Sequence, residues 1–152
     1  MKEKALATAR KLKEMGITLD DIIMMFEEID KENFKNEEIL IEILKEAGIT
    51  SNYIGYECLI EAIKLYSINP KLLLVEEVYP TIGKKLGMKP NCVERNLRTI
   101  VHRICAKNPE FCEKIMGESF LKFQNKPTNK RFIFAITKYY QSKKKTTKLA
   151  TE

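Results

Sequence analysis

Helical periodicity runs along almost the entire sequence, and it limits the fold more than any other feature. Apolar residues recur every three to four positions, whereas alternating strand patterns, Asn-Gly hairpin turns and paired β-branched runs are missing. The chain has 152 residues, of which 44% are hydrophobic and 32% charged, a content that suits one compact core. We therefore predict an all-α protein, a helical bundle of about six helices with an additional N-terminal helical hairpin.

Capping residues divide the chain into segments. Gly16 ends a first helix, Thr18 caps a second that runs to about Asp30, and Asn36 caps a third that Gly48 closes. These signals predict an N-terminal helical hairpin over 1–35, a helical domain over 36–141 and a basic disordered tail over 142–152.

The apolar positions of the hairpin are compatible with two roles. Its apolar positions either pack on its own domain or form a dimer through Phe26, Met24 and Met25.

Charge is distributed very unevenly along the sequence. Residues 1–77 contain 10 Lys and Arg against 16 Asp and Glu, whereas residues 78–152 contain 17 against 5. The net charges are therefore −6 and +12, and this asymmetry indicates that the second half faces a polyanion. The alternative is that the lysines only solvate helix faces.

Several protein classes are disfavoured by the composition. No apolar run is long enough to cross a bilayer and the N-terminus is charged throughout, so we expect a cytoplasmic protein. With one histidine, no phosphate loop and no GxSxG or HExxH motif, we expect no enzymatic activity and no cofactor. We also expect no metal site, because His102, Cys105 and Cys112 fit no standard zinc spacing.

The stretch from Tyr79 to Ile104, YPTIGKKLGMKPNCVERNLRTIVHRI, is typical of a helix-turn-helix. Gly87 supplies the turn, Gly83 is small where the two helices would cross, and Pro90 fits the first turn of the second helix. The alternative is a purely structural helix pair.

The second helix of this stretch has two chemically distinct faces. At about 100° per residue, one arc is apolar and must face the core, namely Val93, Leu97, Ile100, Val101 and Ile104. The opposite arc contains Asn91, Arg95, Arg98, Thr99 and His102, with Glu94 and Cys92 on its borders. Arginine forks suit guanine edges in the major groove, which favours a DNA-reading helix.

Three blocks carry a family resemblance, GYECLIEAIKLY, VYPTIGKKLGMKPNCVERNLR and NKPTNKRFIFAI. In this order and spacing they resemble the C-terminal effector domain of the sporulation-initiation master response regulator of spore-forming bacteria, over about Ile39 to Tyr139. The resemblance implies a six-helix DNA-binding domain and dimeric or tandem binding to a short AT-rich box with a central G-C step.

The resemblance also implies how the site residues divide their work. It implies that Glu94, Arg95 and Arg98 reach base edges, while the loop from Lys126 to Asn129 and nearby lysines hold phosphates. Together with the outer arc, the expected base contacts are Asn91, Cys92, Glu94, Arg95, Arg98 and Thr99. The expected phosphate contacts are Lys84, Lys85, Lys89, His102, Lys126, Thr128, Asn129 and Lys130.

Two positions depart from the pattern of that family. Cys92 stands where the family has an arginine, and Thr99 stands where it has a histidine, so the preferred DNA sequence need not be the family's box.

We predict a sequence-specific regulator of transcription that binds double-stranded DNA and is not controlled by phosphorylation of a receiver domain, since the residues before the match are too few for one. Dimeric or tandem binding and contact with RNA polymerase are expected partner interactions, and no membrane is expected. The alternative is a protein-binding antagonist or adaptor that acts on a full-length relative or on RNA polymerase.

Overall fold

The computed structural model describes residues 2–117 and 126–150, and its regular elements in those ranges are all helical. The all-α prediction is confirmed. The elements in chain order are α1 (Lys2–Glu14), α2 (Leu19–Glu46), α3 (Tyr56–Ile68), a π-helical turn (Leu74–Val78), α4 (Tyr79–Leu86), α5 (Pro90–Lys107), α6 (Pro109–Met116) and α7 (Asn129–Ala150).

The chain divides into two compact units, Met1–Glu38 and Ile39–Glu152. In the first unit, Gly16 turns the chain with a φ of 77°. Thr18 and Asp21 then cap α2 reciprocally: the Asp21 N–H donates to Thr18 Oγ1 at 3.2 Å, and the Thr18 N–H donates to Asp21 Oδ2 at 2.9 Å. The predicted turn therefore forms, but α1 and α2 make few contacts with each other, so they are not a closely packed hairpin.

The separate third helix predicted from Asn36 is wrong, because α2 continues without a break from Leu19 to Glu46. The sequence between Asp30 and Asn36 holds neither glycine nor proline, so nothing in it stops the helix. Asn36 is accommodated inside the helix, and the division between the two units falls within α2 rather than at a loop.

The second unit is built around one apolar core. α3 packs against α7 and α5, while α4 packs against α5 and the π-helical turn. The largest fully buried side chains are Tyr66, Phe132, Leu40, Ile43, Leu44, Leu59, Ile63, Ile82, Leu97, Ile100, Ile104 and Ile133. Because α5 contributes to this core along its whole length, its orientation is fixed by packing.

The prediction of a disordered tail over 142–152 is wrong for residues 142–150, because α7 extends to Ala150. No glycine or proline follows Gln141, and lysine is a good helix former, so the helix propagates past the core. Lys143 and Lys144 lie over the rings of Tyr139 and Tyr140, at 5.4 and 5.0 Å from the ring centroids.

None of the helices in the described ranges is long and apolar enough to cross a membrane.

Candidate nucleic-acid interface

The predicted turn between the two helices of the motif is present. Gly87 follows α4 with a φ of 69° and a ψ of 39°, a left-handed conformation that glycine adopts without strain. The N–H groups of Gly87 and Met88 both donate to the carbonyl of Gly83, the latter at 2.9 Å. Pro90 then begins α5, as expected from its fixed φ.

Gly83 lies where α4 and the turn approach each other closely. A Cβ atom at this position would lie 2.4 Å from the carbonyl oxygen of Met88, a backbone atom that cannot swing away. The sequence predicted a small residue here because the two helices would cross, and the geometry does demand one, although the close contact is with the carbonyl of Met88 in the turn.

The core face of α5 lies where the periodicity places it. Its five predicted core residues are all at most 1% exposed: Val93, Leu97, Ile100, Val101 and Ile104. A helix anchored along one whole face must present the opposite face outward.

The outward face of α5 is polar and accessible. Six of the residues predicted to face outward are exposed: Asn91, Cys92, Arg95, Arg98, Thr99 and His102. Glu94 is half-buried, and its Oε1 lies 3.3 Å from Nη1 of Arg98 one turn later. The Thr99 hydroxyl donates to the carbonyl of Arg95 at 2.9 Å. This bond lies within the helix and leaves the lone pairs of the hydroxyl oxygen free to accept from outside. The surface therefore offers guanidinium, amide and hydroxyl groups together.

The lysines predicted to hold phosphates differ in their surroundings. Lys84, Lys89, Lys126 and Lys130 are exposed. Lys85 is also exposed, but its Nζ lies 2.8 Å from Oε2 of Glu61, so its charge is partly compensated within the protein. A phosphate contact by Lys85 would compete with this ion pair.

Asn129 is placed differently from the other predicted phosphate contacts. Only 9% of it is exposed, and its Nδ2 donates to the Tyr79 hydroxyl at 3.1 Å and to the Glu94 carbonyl at 3.2 Å. Burial raises the pKa of Tyr79, so this phenol stays neutral, and Asn129 donates a hydrogen bond to it. Asn129 is therefore a structural link between α7, α4 and α5, and its amide donors point into the protein.

Neighbouring Thr128 is exposed and caps α7, its hydroxyl accepting from the Arg131 N–H at 3.3 Å.

Gly55 is a supporting residue that the sequence reasoning did not identify. It precedes α3 with a φ of 90°, and a Cβ there would lie 2.3 Å from the carbonyl oxygen of Asn96 on α5. The start of α3 therefore presses directly on the backbone of α5. The only sequence signal was a glycine at a helix start, which did not indicate what it would contact.

A second cationic cluster lies on the side of α5 rather than on its outward face. The Arg103 guanidinium carbon lies 4.6 Å from the ring centroid of Tyr53, and Lys107 Nζ lies 5.4 Å from it. These stacked cations pack along the protein and are distinct from the arc that contains Arg95 and Arg98.

The three residues weighed as zinc ligands do not share one environment. Cys105 and Cys112 are buried with their Sγ atoms 2.7 Å apart, whereas His102 is exposed. The hydrogen bond with Cys105 and burial raise the pKa of the Cys112 thiol, which opposes formation of a metal-binding thiolate. Within residues 2–117 and 126–150, no group of three or more His, Cys, Asp or Glu side chains is arranged to hold a metal ion.

A family comparison agrees with this geometry. The family model described as the sporulation initiation factor Spo0A C terminal matches residues 40–140 of the 152. The match includes α3 to α6, the motif from Tyr79 to Ile104 and most of α7.

Proposed function

The chain belongs to the family of the sporulation initiation factor Spo0A C-terminal domain, and from that premise we propose that it is a sequence-specific regulator of transcription that reads duplex DNA with α5. The family is that of a DNA-binding effector domain of a sporulation regulator, so DNA binding and a role in transcription follow from membership. The proposal concerns which residues read bases and which hold phosphates.

One observation carries the proposal, namely the contrast between the two faces of α5. Its inner face is completely buried, so the helix is rigidly held, and its outer face shows two arginines beside short hydrogen-bonding side chains. An arginine fork can donate hydrogen bonds to guanine O6 and N7 simultaneously, and each such pair is worth about 1–3 kcal/mol of discrimination. We assign base reading to Asn91, Cys92, Glu94, Arg95, Arg98 and Thr99.

Phosphate binding is assigned to the exposed lysines and other polar side chains around this face. The lysines are Lys84, Lys89, Lys126 and Lys130, with Lys85 in competition with Glu61, and the other side chains are His102 on α5 and Thr128 at the start of α7. Such contacts position the protein without reading sequence, and they make affinity depend on salt. The slope of log K against log salt should be about −0.9 times the number of phosphates neutralised.

The test separates the two assignments. Bound fragments are first selected from random duplex DNA, and the affinity for the selected site and for a scrambled site is then measured at one fixed salt concentration. Arg95→Ala and Arg98→Ala should reduce the affinity for the selected site far more than for the scrambled site. Lys126→Ala and Lys130→Ala should reduce both alike.

Arg103→Ala is the matched control, since it removes an exposed arginine from the same helix but from the cluster over Tyr53. It should leave both affinities nearly unchanged. If Arg103→Ala and Arg98→Ala have the same effect on the ratio of the two affinities, the assignment of base reading to the outer face is wrong.

A second candidate function is favoured by the first unit. Residues Leu19–Glu38 contain eight acidic side chains and expose several large apolar ones, as a protein-binding surface does. This surface supports the alternative of an antagonist or adaptor that binds a full-length relative or RNA polymerase. Residues 2–38 fold as helices and not as an α/β receiver. This supports a regulator whose activity is not controlled by phosphorylation of a receiver within residues 2–38. Absence of salt-sensitive DNA binding would favour the antagonist.

A further inference from the structure

The first unit leaves its large apolar side chains uncovered. No residue of 2–38 is buried. Nine large apolar residues are between 47% and 73% exposed, namely Leu6, Met15, Leu19, Ile23, Met24, Met25, Phe26, Ile29 and Phe34. Isolated exposed apolar residues are ordinary, but a concentration of them over two adjoining helices marks an interaction surface.

Each of the two helices has one apolar stripe along its length. At about 100° per residue, Leu19, Ile22, Ile23, Phe26, Ile29 and Phe34 of α2 share an arc of about 140°. On α1 an arc of about 120° holds Ala5, Leu6, Ala9 and Leu12. Met24 and Met25 fall outside the α2 arc, so the stripe differs from the set of dimer contacts expected from sequence.

The two stripes do not cover each other within one chain. α1 and α2 make few mutual contacts, and among the 13 residues of α1 none is buried. An isolated helix of this length is marginal in water, because propensity alone barely offsets the cost of nucleation. A second surface that packs on α1 would therefore stabilise it.

Charge identifies the chemistry of that second surface. α1 carries five basic and two acidic residues, a net charge of +3, whereas Leu19–Glu38 carries two basic and eight acidic residues, a net charge of −6. A partner of uniform sign would match only one of the two helices. Another copy of the same unit matches both, because a two-fold axis sets each helix of one copy against the oppositely charged helix of the other.

We propose that a second copy of this chain covers the unit, with α1 of each copy packed against Leu19–Glu38 of the other in a four-helix arrangement. Charged residues inside or beside the two arcs would then face each other across the interface. They are Arg10 and Lys13 on α1, and Glu27 and Asp30 on α2. This inference does not depend on DNA binding.

Charge reversal in the full chain tests the pairing. Variant A carries Arg10→Glu and Lys13→Glu, and variant B carries Glu27→Lys and Asp30→Lys. In A·A and B·B pairs the substituted residues at positions 10 and 13 carry the same sign as those at positions 27 and 30 that they face, so sedimentation equilibrium should show self-association weaker by about tenfold or more. In an equimolar mixture these facing residues again have opposite signs, and the mixture should recover native dimer affinity together with a gain in helical circular dichroism over the mean of the separate solutions.

The matched control carries Lys4→Glu and Lys11→Glu, which make the same change in charge on the far side of α1. It should dimerise like the native protein. The proposal is overturned if the native chain is monomeric at micromolar concentration, if the mixture associates no better than A or B alone, or if the control weakens the dimer as much as A does.

Discussion

Asn129 donates a hydrogen bond from its side-chain amide to the backbone carbonyl of Glu94 at 3.2 Å, and so joins the start of α7 to the N-terminal part of α5. The same amide donates to the Tyr79 hydroxyl on α4 at 3.1 Å. One buried side chain therefore links both helices of the helix-turn-helix to the last helix of the chain, and it does so directly beneath the proposed base-reading surface.

Asn129→Ala should lower both stability and specific DNA affinity. The substitution removes the hydrogen bonds that Asn129 donates to the Glu94 carbonyl and the Tyr79 hydroxyl, at an expected cost of about 1–3 kcal/mol in the free energy of unfolding. Asn129→Asp should be no milder, because a carboxylate cannot donate to a carbonyl. Thermal unfolding measures the effect, with exposed Lys130→Ala as the control that should melt like the native protein.

Gly83→Ala should destabilise the protein more than Gly87→Ala does. At Gly83 the new Cβ would meet the Met88 carbonyl oxygen at 2.4 Å, which forces the turn apart. Overpacking of this kind typically costs about 1–3 kcal/mol, and here backbone must shift. At Gly87 no atom lies within 4 Å, so only the left-handed backbone is penalised, by about 1–2 kcal/mol. Equal denaturant midpoints for the two variants would contradict the close contact.

Cys92 should be the one thiol of the native protein that reacts readily with a thiol reagent. It is exposed, whereas Cys58, Cys105 and Cys112 are buried. If Cys92 lies at the DNA interface, bound duplex should slow its labelling, while a Cys92→Ser variant should show almost no fast reaction. Labelling that proceeds at the same rate with and without saturating DNA would place Cys92 outside the interface.

Cys92→Arg should sharpen recognition of the AT-rich box that the family resemblance implies. A thiol is a weak donor with short reach, whereas an arginine fork can grip a guanine edge or a phosphate from the same position. We expect binding to the box to tighten by about 1–3 kcal/mol relative to a scrambled duplex. Both proteins are measured on both duplexes at one salt concentration, and an unchanged ratio would refute a reading role for this position.

The ion pair between Glu46 and Lys114 should make stability sensitive to acid. Lys114 Nζ lies 2.6 Å from Glu46 Oε1, and the Tyr139 hydroxyl donates to Glu46 Oε2 at 2.7 Å. Partial burial raises the pKa of Glu46, but hydrogen bonds from Lys114 and Tyr139 outweigh it and the pKa is lowered. Stability from this group is therefore present above the ordinary glutamate pKa and is lost as pH falls through the lowered folded pKa.

Glu46→Gln should consequently flatten the acid side of the stability curve. Because about a third of the Glu46 side chain is exposed, solvent screening keeps the loss at neutral pH to about 1 kcal/mol or less. Urea unfolding from neutral to acidic pH measures the slope. Glu42→Gln, an exposed glutamate one turn earlier on α2, is the control whose curve should follow that of the native protein.

The faces of α5 and the turn before it could be read from the sequence alone. Helical periodicity is a local property, so the buried positions from Val93 to Ile104 followed from a fixed rotation per residue. Gly87 was identifiable for a similar reason, since a left-handed residue after a helix strongly favours glycine. The outward position of Arg95 and Arg98 is the complement of that buried face.

Only the tertiary structure decided which residues meet across long separations in the chain. Nothing near Asn129 in sequence indicated that its amide would bond to Glu94, and nothing near Gly55 pointed to the Asn96 carbonyl. The ends of α2 and α7 are a different case, because both helices run on where the sequence holds no residue that breaks them, and a capping residue such as Asn36 does not end a helix. Local rules fix the pitch and the faces of a helix, whereas its partners depend on the packing that surrounds it.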